Sequence, residues 1–322
     1  DLHTAYRRQR QMCIRDRQRY GERYGPLVKG VSPMKITVTG GKGGTGKSTV
    51  ATNLALTLAK KYLVVLVDAD VECPNDHILL STKLENEEIV KLFKPKFDYS
   101  KCTKCGVCIE ECAENALLKF KEGYPFLMPT LCSGCRTCQL VCPEEGTILD
   151  DYRIVGYTYH TKLSENLELV TGKLENGEER SYPTVLAARR RALGIKADIH
   201  LFDTMPGTGN HVAAAIEDSK VVIAVTEPTP LGLHDLEMIL KLLNKLNLKA
   251  WVVVNRSDLS DISHDSMVEK YGGEIIAEIP MSDEILKSYV EGVPVVVKYP
   301  ESKPSKIFEN IAKRIEEVIS WT

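Results

Sequence analysis

Eight of the ten cysteines in this 322-residue chain fall in two runs of identical spacing. They are Cys102-x2-Cys105-x2-Cys108-x3-Cys112 and Cys132-x2-Cys135-x2-Cys138-x3-Cys142. Thiolates this close can surround zinc or an iron–sulfur cluster; two complete four-cysteine runs with Pro143 after the last point to the cluster. A second group of residues points to phosphate. Gly41-Lys42-Gly43-Gly44-Thr45-Gly46-Lys47-Ser48-Thr49 contains the pattern G-x-x-x-x-G-K-[ST]. Glycines let the backbone curl so that several N–H groups face phosphate oxygens, and a following helix adds its positive N-terminal end. In this reading Lys47 reaches the β- and γ-phosphates and the Ser48 hydroxyl ligates Mg²⁺. A merely glycine-rich turn is the alternative, and the elements on either side discriminate.

Lys35–Thr39 is a short β-branched run, residues 47 to about 61 carry a helical pattern, and Tyr62–Val67 is a continuous apolar run ending in Asp68. Strand, loop, helix and strand make a βαβ unit with a buried parallel sheet, the context a phosphate loop needs. Further apolar runs at Ile199–Phe202, Val221–Val225, Ala250–Val254 and Ile275–Ile279 alternate with helical patterns near 210–218, 232–246, 264–272, 282–290 and 304–320. The predicted fold class is α/β, a doubly wound, mostly parallel sheet. The alternation breaks off over 92–150, where the eight cysteines lie. The expected domains are therefore a nucleotide-binding domain in two parts, 34–91 and 151–322, around an α+β insertion at 92–150. Residues 151–182, with a turn at Glu175-Asn176-Gly177-Glu178, are expected to return as a β-rich hairpin.

Lys42-Gly-Gly-Thr-Gly-Lys47-Ser48, with its early lysine, resembles the deviant Walker A motif of the MinD/ParA/Mrp superfamily of P-loop ATPases, which includes the nitrogenase iron protein. The resemblance implies ATP as ligand, Mg²⁺, and a homodimer in which Lys42 reaches the partner's nucleotide. Read alone, Lys42 is a solvated loop lysine. Asp68-Ala69-Asp70 resembles the family's first switch, which implies that Asp70 orients or activates the attacking water and Asp68 supports it or Mg²⁺. An ordinary capping aspartate is the alternative for each. Asp203-Thr204-Met205-Pro206-Gly207-Thr208-Gly209 resembles the Walker B and second-switch segment. Asp203 would then hold Mg²⁺ through water and the Gly207 amide would sense the γ-phosphate. Met205 and Asn210 depart from that pattern. Val254-Asn255-Arg256 resembles the adenine-contacting segment; read alone, Asn255 is a turn residue.

The cysteine block resembles a two-cluster ferredoxin over about 50 residues, with Gly106 and Gly134 at its turns. The resemblance implies crossed ligand sets: Cys102, Cys105, Cys108 and Cys142 on one [4Fe–4S] cluster, Cys132, Cys135, Cys138 and Cys112 on the other. No cysteine follows Cys142, so a cluster bridging two subunits from the C-terminal half is excluded. Cys73 stands beside the first switch, where a small apolar filler is expected and a redox-active thiol is the alternative.

Composition narrows the partners. The chain is 43% apolar with 42 basic against 44 acidic residues, enough for a sizeable core and without an overall drive toward nucleic acid. No run approaches a membrane span, and the stripe Ile307, Phe308, Ile311, Ile315, Val318 and Ile319 reads as a last helix packed on the sheet. Residues 1–33 hold eight basic and three acidic side chains, leaving 34 basic and 41 acidic from Met34 onward, a net of −7. That leader lacks an apolar secretion core, and Gln11–Arg17 resembles translated sequencing-adaptor sequence. It is expected to be disordered or non-native, and the protein cytoplasmic. The expected function is ATP hydrolysis coupled to electron transfer through two clusters, toward a redox or iron–sulfur acceptor protein. An assembly or carrier role for iron–sulfur or other metal cofactors is the alternative, and a positioning ATPase a weaker one.

Overall fold

The computed structural model describes residues 33–320; the expectations for the leader lie outside that span. From Met34 the chain forms β1 (Met34–Thr39), α1 (Lys47–Leu58), β2 (Val64–Ala69), a one-turn α2 (Asp76–Leu79) and β3 (Glu88–Phe97). Each cysteine run is a loop leading into a short helix, α3 (Val107–Glu110) and α4 (Thr137–Val141), with a ribbon of β4 (Leu117–Lys119) and β5 (Pro125–Leu127) between them. The chain returns through β6 (Ile148–Lys162), β7 (Leu167–Leu174) and α5 (Ser181–Leu193). Then come β8 (Ile199–Thr204), α6 (Asn210–Ile216), β9 (Val221–Thr226), α7 (Pro230–Lys245), β10 (Ala250–Asn255), α8 (Asp265–Lys270) and β11 (Glu274–Ile279). Three helices close it, α9 (Asp283–Glu291), α10 (Val295–Lys298) and α11 (Lys303–Ser320).

These strands make one nine-stranded sheet in the order β11-β10-β9-β1-β8-β2-β7-β6-β3. It is parallel from β11 to β7, and β6 and β3 add an antiparallel edge. Its central strands β1, β2, β8 and β9 are buried at every position because both faces are covered. Ile36, Leu66, Leu201 and Ile223 point toward α1 and α11, where Phe308, Ile311 and Ile315 are buried. The alternate residues Val65, Val67 and Phe202 face α5, while Val222, Ala224, Val252 and Val254 face α6, α7 and α8. The expected doubly wound sheet is therefore present, and the C-terminal stripe is a packing face. Among the described residues no helix is long and apolar enough to cross a membrane.

Two features differ from the sequence expectation. The return hairpin reverses at residues 163–166, where Leu163 and Ser164 donate to the Leu167 carbonyl at 2.9 and 3.0 Å. The turn at Glu175–Glu178 exists, but it leads from β7 into α5. α5 itself was not expected. Its buried face is mostly small (Val185, Ala188, Ala192) and its surface carries Arg189, Arg190 and Arg191, so its apolar period is weak. Pro183 is tolerated because it lies in the first turn, where N–H groups have no helical partner.

The cysteine segment hangs from the sheet on a two-stranded stem. β3 pairs with β6 from Glu88 opposite Thr158 to Phe97 opposite Ile148. At fifteen residues, β6 spans about 50 Å, joining the β7 ladder at one end to the cysteine loops at the other.

Candidate functional site

The loop after β1 lies at the carboxyl end of the parallel strands, where open α/β sheets place ligands. Gly46 opens α1 at φ +96°, and a Cβ there would sit 2.3 Å from Asn255 Nδ2. Gly41 passes under α7, where a Cβ would lie 2.4 Å from the Asp235 carbonyl oxygen. Gly43 and Gly44 face open space apart from Pro206 Cγ, 4.0 Å from the Gly43 position. Thr45 is buried, and its carbonyl accepts from Asn255 Nδ2 at 2.8 Å, so Asn255 braces the loop across the sheet. Lys47 is buried and donates Nζ to the Lys42 carbonyl at 3.0 Å. Burial holds its pKa below the usual lysine value, with Asp203 and Asp70 opposing. Thr49 stands in the first turn of α1, its carbonyl taken by Asn53 Nδ2 at 2.8 Å.

Opposite the loop stand the carboxylates. Ser48 Oγ donates to Asp203 Oδ2 at 2.5 Å, while Asp203 Oδ1 is buried without a partner. That free edge suits a cation that Ser48 and Asp203 would share. Burial pushes the Asp203 carboxyl up to about 7, with the Ser48 hydroxyl and Lys47 opposing. Asp68 is fully buried and accepts N–H groups of Asp70, Asn75 and Asp76 at 3.2, 2.9 and 3.1 Å. It therefore organises the turn that carries Asp70. Asp70 is less buried; loss of solvation raises its pKa against the Cys73 amide and Lys47. Gly207, at φ +102°, donates its N–H to the Gly40 carbonyl at 3.1 Å, tying the loop after β8 to the phosphate loop.

Glu227, just after β9, is a site residue that no motif marked. It is buried, and its two oxygens take Lys42 Nζ at 2.9 Å and Arg256 Nη1 at 2.8 Å. The only sequence signal is an acid at a strand's carboxyl end; both partners are distant in the chain. Asp76, whose burial depends on the turn folding back on β2, was likewise missed. Cys73 corrects an expectation: its side chain is exposed, so it fills no core space.

The sequence profile of the CobQ/CobB/MinD/ParA nucleotide binding domain matches residues 36–295. The chain belongs to this family. An uncharacterized protein of Methanocaldococcus jannaschii is 32% identical over 89% of this chain and 97% of its own length. An iron-sulfur cluster carrier protein of Pyrococcus abyssi is 23% identical over 87% of this chain and 85% of its own. Among solved structures, the septum site-determining protein MinD complexed with Mg-ADP from Pyrococcus horikoshii superposes with a TM-score of 0.57. That match has 20% identity and covers 89% of this chain and 97% of the other, which establishes the shared fold.

In this MinD/ParA-type chain the cysteine loops repeat one backbone pattern. The residues flanking the second cysteine of each run are left-handed: Lys104 and Gly106 at φ +63° and +82°, Gly134 and Arg136 at +71° and +62°. Cys102, Cys105, Cys108 and Cys142 line one pocket that is partly open to solvent. Burial and the neighbouring Cys105, Cys142 and Cys102 push the Cys108 thiol up to about 11. Burial, then Cys135 and Cys112, raise Cys132 against the Gly134 amide, and burial with Cys135 and Cys132 pushes Cys138 up to about 12. The Ala116 N–H donates to Cys112 Sγ at 3.3 Å. Two arginines clasp the second run from the sheet side, Arg153 donating to the Cys132 carbonyl at 3.3 Å and Arg180 to the Leu131 carbonyl at 2.5 Å.

Proposed function

We propose that this chain hydrolyses ATP as a homodimer and couples that cycle to electron transfer through two [4Fe–4S] clusters. The observation that carries the reading is the pocket lined by three cysteines of the first run and the last cysteine of the second. A single zinc ion fits poorly. Zn–S bonds of about 2.3 Å put tetrahedral sulfurs about 3.8 Å apart. Among the described residues the one three-ligand group within 4.8 Å is made of aspartates, so the cysteine sulfurs are spread more widely. The segment's core is also thin: four of its nine apolar members are cysteines, Cys108, Cys138, Cys112 and Cys142. A unit this small needs a staple beyond such a core.

Cys102, Cys105, Cys108 and Cys142 would hold one cluster, and Cys132, Cys135, Cys138 and Cys112 the other. Bound clusters would supply one-electron chemistry, and Mg²⁺ would neutralise phosphate charge. The chain's own residues do the positioning. Gly41 to Thr49 wrap the phosphates, Lys47 leaves the Lys42 carbonyl for them, and Ser48 with Asp203 holds the metal edge. Asp70 orients water, Asn255 and Arg256 border the base, and Lys42 leaves Glu227 for the partner's nucleotide. Gly207 senses the γ-phosphate by exchanging its bond to the Gly40 carbonyl.

The similarity to an iron-sulfur cluster carrier favours a second reading, ATP-dependent cluster assembly or delivery. Anaerobic reconstitution followed by redox titration with and without ATP separates the two. An ATP-dependent shift in cluster potential supports electron transfer. Unchanged potentials with cluster transfer to an apo-protein overturn it in favour of delivery. Lys47→Ala should abolish nucleotide binding; surviving turnover would refute the ATP site.

A further inference from the structure

The β4–β5 ribbon turns an apolar face to solvent. Leu118 and Phe126 stand opposite each other across it, and Phe120 joins them with its ring centroid 5.4 Å from that of Phe126. Their exposures are 47%, 48% and 57%. The alternate residues Leu117 and Leu127 point the other way, into the segment's core. A cross-strand aromatic contact helps hold a short ribbon together, but three large apolar side chains grouped in water also mark a surface that gains by being covered. Lysines surround the ribbon's turn. Lys104 and Lys119 flank Gly123, where a Cβ would lie 3.7 Å from Lys104 Cβ and 3.6 Å from Lys119 Cε, and Lys121 is exposed in the turn itself. Lys94 and Lys101 pair with Asp151 and Asp98, whereas Lys104, Lys119 and Lys121 make no ion pair among the described residues. The one acid in the turn is Glu122.

The ribbon is also a wall of the first cysteine site. Pro125, opposite Lys119 in the ribbon, and Lys104 line the pocket of Cys102, Cys105, Cys108 and Cys142. A single strand layer therefore separates the apolar face from that pocket, and Cys105 is itself exposed. The second run is instead held to the sheet by Arg153 and Arg180. We infer that this ribbon is the docking surface for an acidic one-electron carrier protein, which exchanges electrons through the first-run site. An apolar centre ringed by unpaired lysines fits an acidic partner: the lysines speed encounter and fix orientation, and the covered aromatic side chains hold the complex. The inference rests on the two-cluster reading above. In the step it serves, the carrier loses one electron and the cluster held by the first-run site gains it, or the reverse, and no bond between the partners forms or breaks.

The test uses the full chain, anaerobic and reconstituted, with an oxidised acidic plant-type [2Fe–2S] ferredoxin as probe and titration calorimetry as readout. The wild type should hold about eight irons per chain and bind the ferredoxin, with affinity falling as salt is raised. Lys119→Glu with Lys121→Glu, and separately Phe120→Ser, should each weaken binding at least about tenfold with iron content unchanged. If either loses iron, Lys121→Glu alone, in the exposed turn, must show the weakening. Leu140→Ser removes a side chain that is 72% exposed on α4, beside the second run, and should leave the affinity at the wild-type value. A chain that takes up no clusters strikes the two-cluster reading itself. A chain with full clusters overturns the docking surface if it does not bind the ferredoxin, if the ribbon variants bind it equally well, or if Leu140→Ser weakens binding as much as they do. A drop in mass on Phe120→Ser, read by light scattering without ferredoxin, would assign the face to a second copy of this chain and overturn it too.

Discussion

Asp203→Asn should stabilise the protein while destroying its nucleotide chemistry. The ordinary aspartate value is 3.8, and burial pushes Asp203 to about 7 in the folded chain. The folded state therefore holds a proton that the unfolded chain releases across that window. Stability contributed by this site is highest below pH 4 and declines as pH rises to 7. Three pK units at 1.36 kcal/mol each give a penalty of about 4 kcal/mol at pH 8, undiscounted because the carboxyl is fully buried. An asparagine escapes that penalty, and its side-chain oxygen can still accept from Ser48. Urea unfolding of both proteins in EDTA, without nucleotide, should show the variant about 4 kcal/mol more stable at pH 8, the gap closing below pH 4. Added Mg²⁺ and ATP should raise the melting temperature of the wild type and leave the variant unmoved. A variant less stable than wild type at pH 8, or a gap that does not change with pH, would refute the reasoning.

Gly46→Ala forces a Cβ to 2.3 Å from Asn255 Nδ2 at φ +96°, so nucleotide affinity should fall at least tenfold and stability by about 1–3 kcal/mol, read by nucleotide titration and melting. Crossed ligation predicts that Cys142→Ser with Cys105→Ser leaves about four irons per chain, whereas Cys142→Ser with Cys135→Ser leaves almost none. Iron analysis showing the reverse pattern would mean that each run binds its own cluster. Phe308→Ala, at a fully buried position under the sheet, should cost about 3–5 kcal/mol in urea unfolding; a loss under 1 kcal/mol would mean that α11 is not core.

The parallel sheet was legible because buried strands read as continuous apolar runs, and β1, β8, β9, β10 and β11 lie within two residues of where those runs stand. The phosphate loop was legible because its spacing is local. What the sequence hid was long-range. β3 reads Glu-Ile-Val-Lys-Leu-Phe-Lys-Pro-Lys-Phe, an edge strand with three lysines and a proline, and only its pairing with β6 makes it part of the sheet. Glu227 has meaning only once β9 brings it beside Lys42 and Arg256. Asn255 gave two readings in sequence, and its bond to the Thr45 carbonyl adds a third role, bracing the loop.

The turn that carries Asp70 is also the route into the cysteine segment, and the way it is anchored bears on how the nucleotide loop and the cysteine loops are connected. The chain leaves Asp70, turns through α2 and enters β3, one strand of the stem. That turn is packed on its neighbours. The Val71 carbonyl accepts the Leu174 N–H at 2.7 Å, and a Cβ on Gly172 would lie 2.6 Å from Val71 Cγ1, so the turn is pressed against β7. β7 is laddered to β6, whose Arg153 donates to the Cys132 carbonyl and pairs with Glu178, two residues before the Arg180 that holds Leu131. A shift at Asp70 therefore meets a hydrogen-bonded ladder, where a flexible linker would absorb it. Motion carried along such a ladder would move the cysteine loops as a body and leave their sulfur geometry intact. Release of a cluster would need that geometry to open, so within the function proposed above this anchoring favours gated electron transfer over delivery.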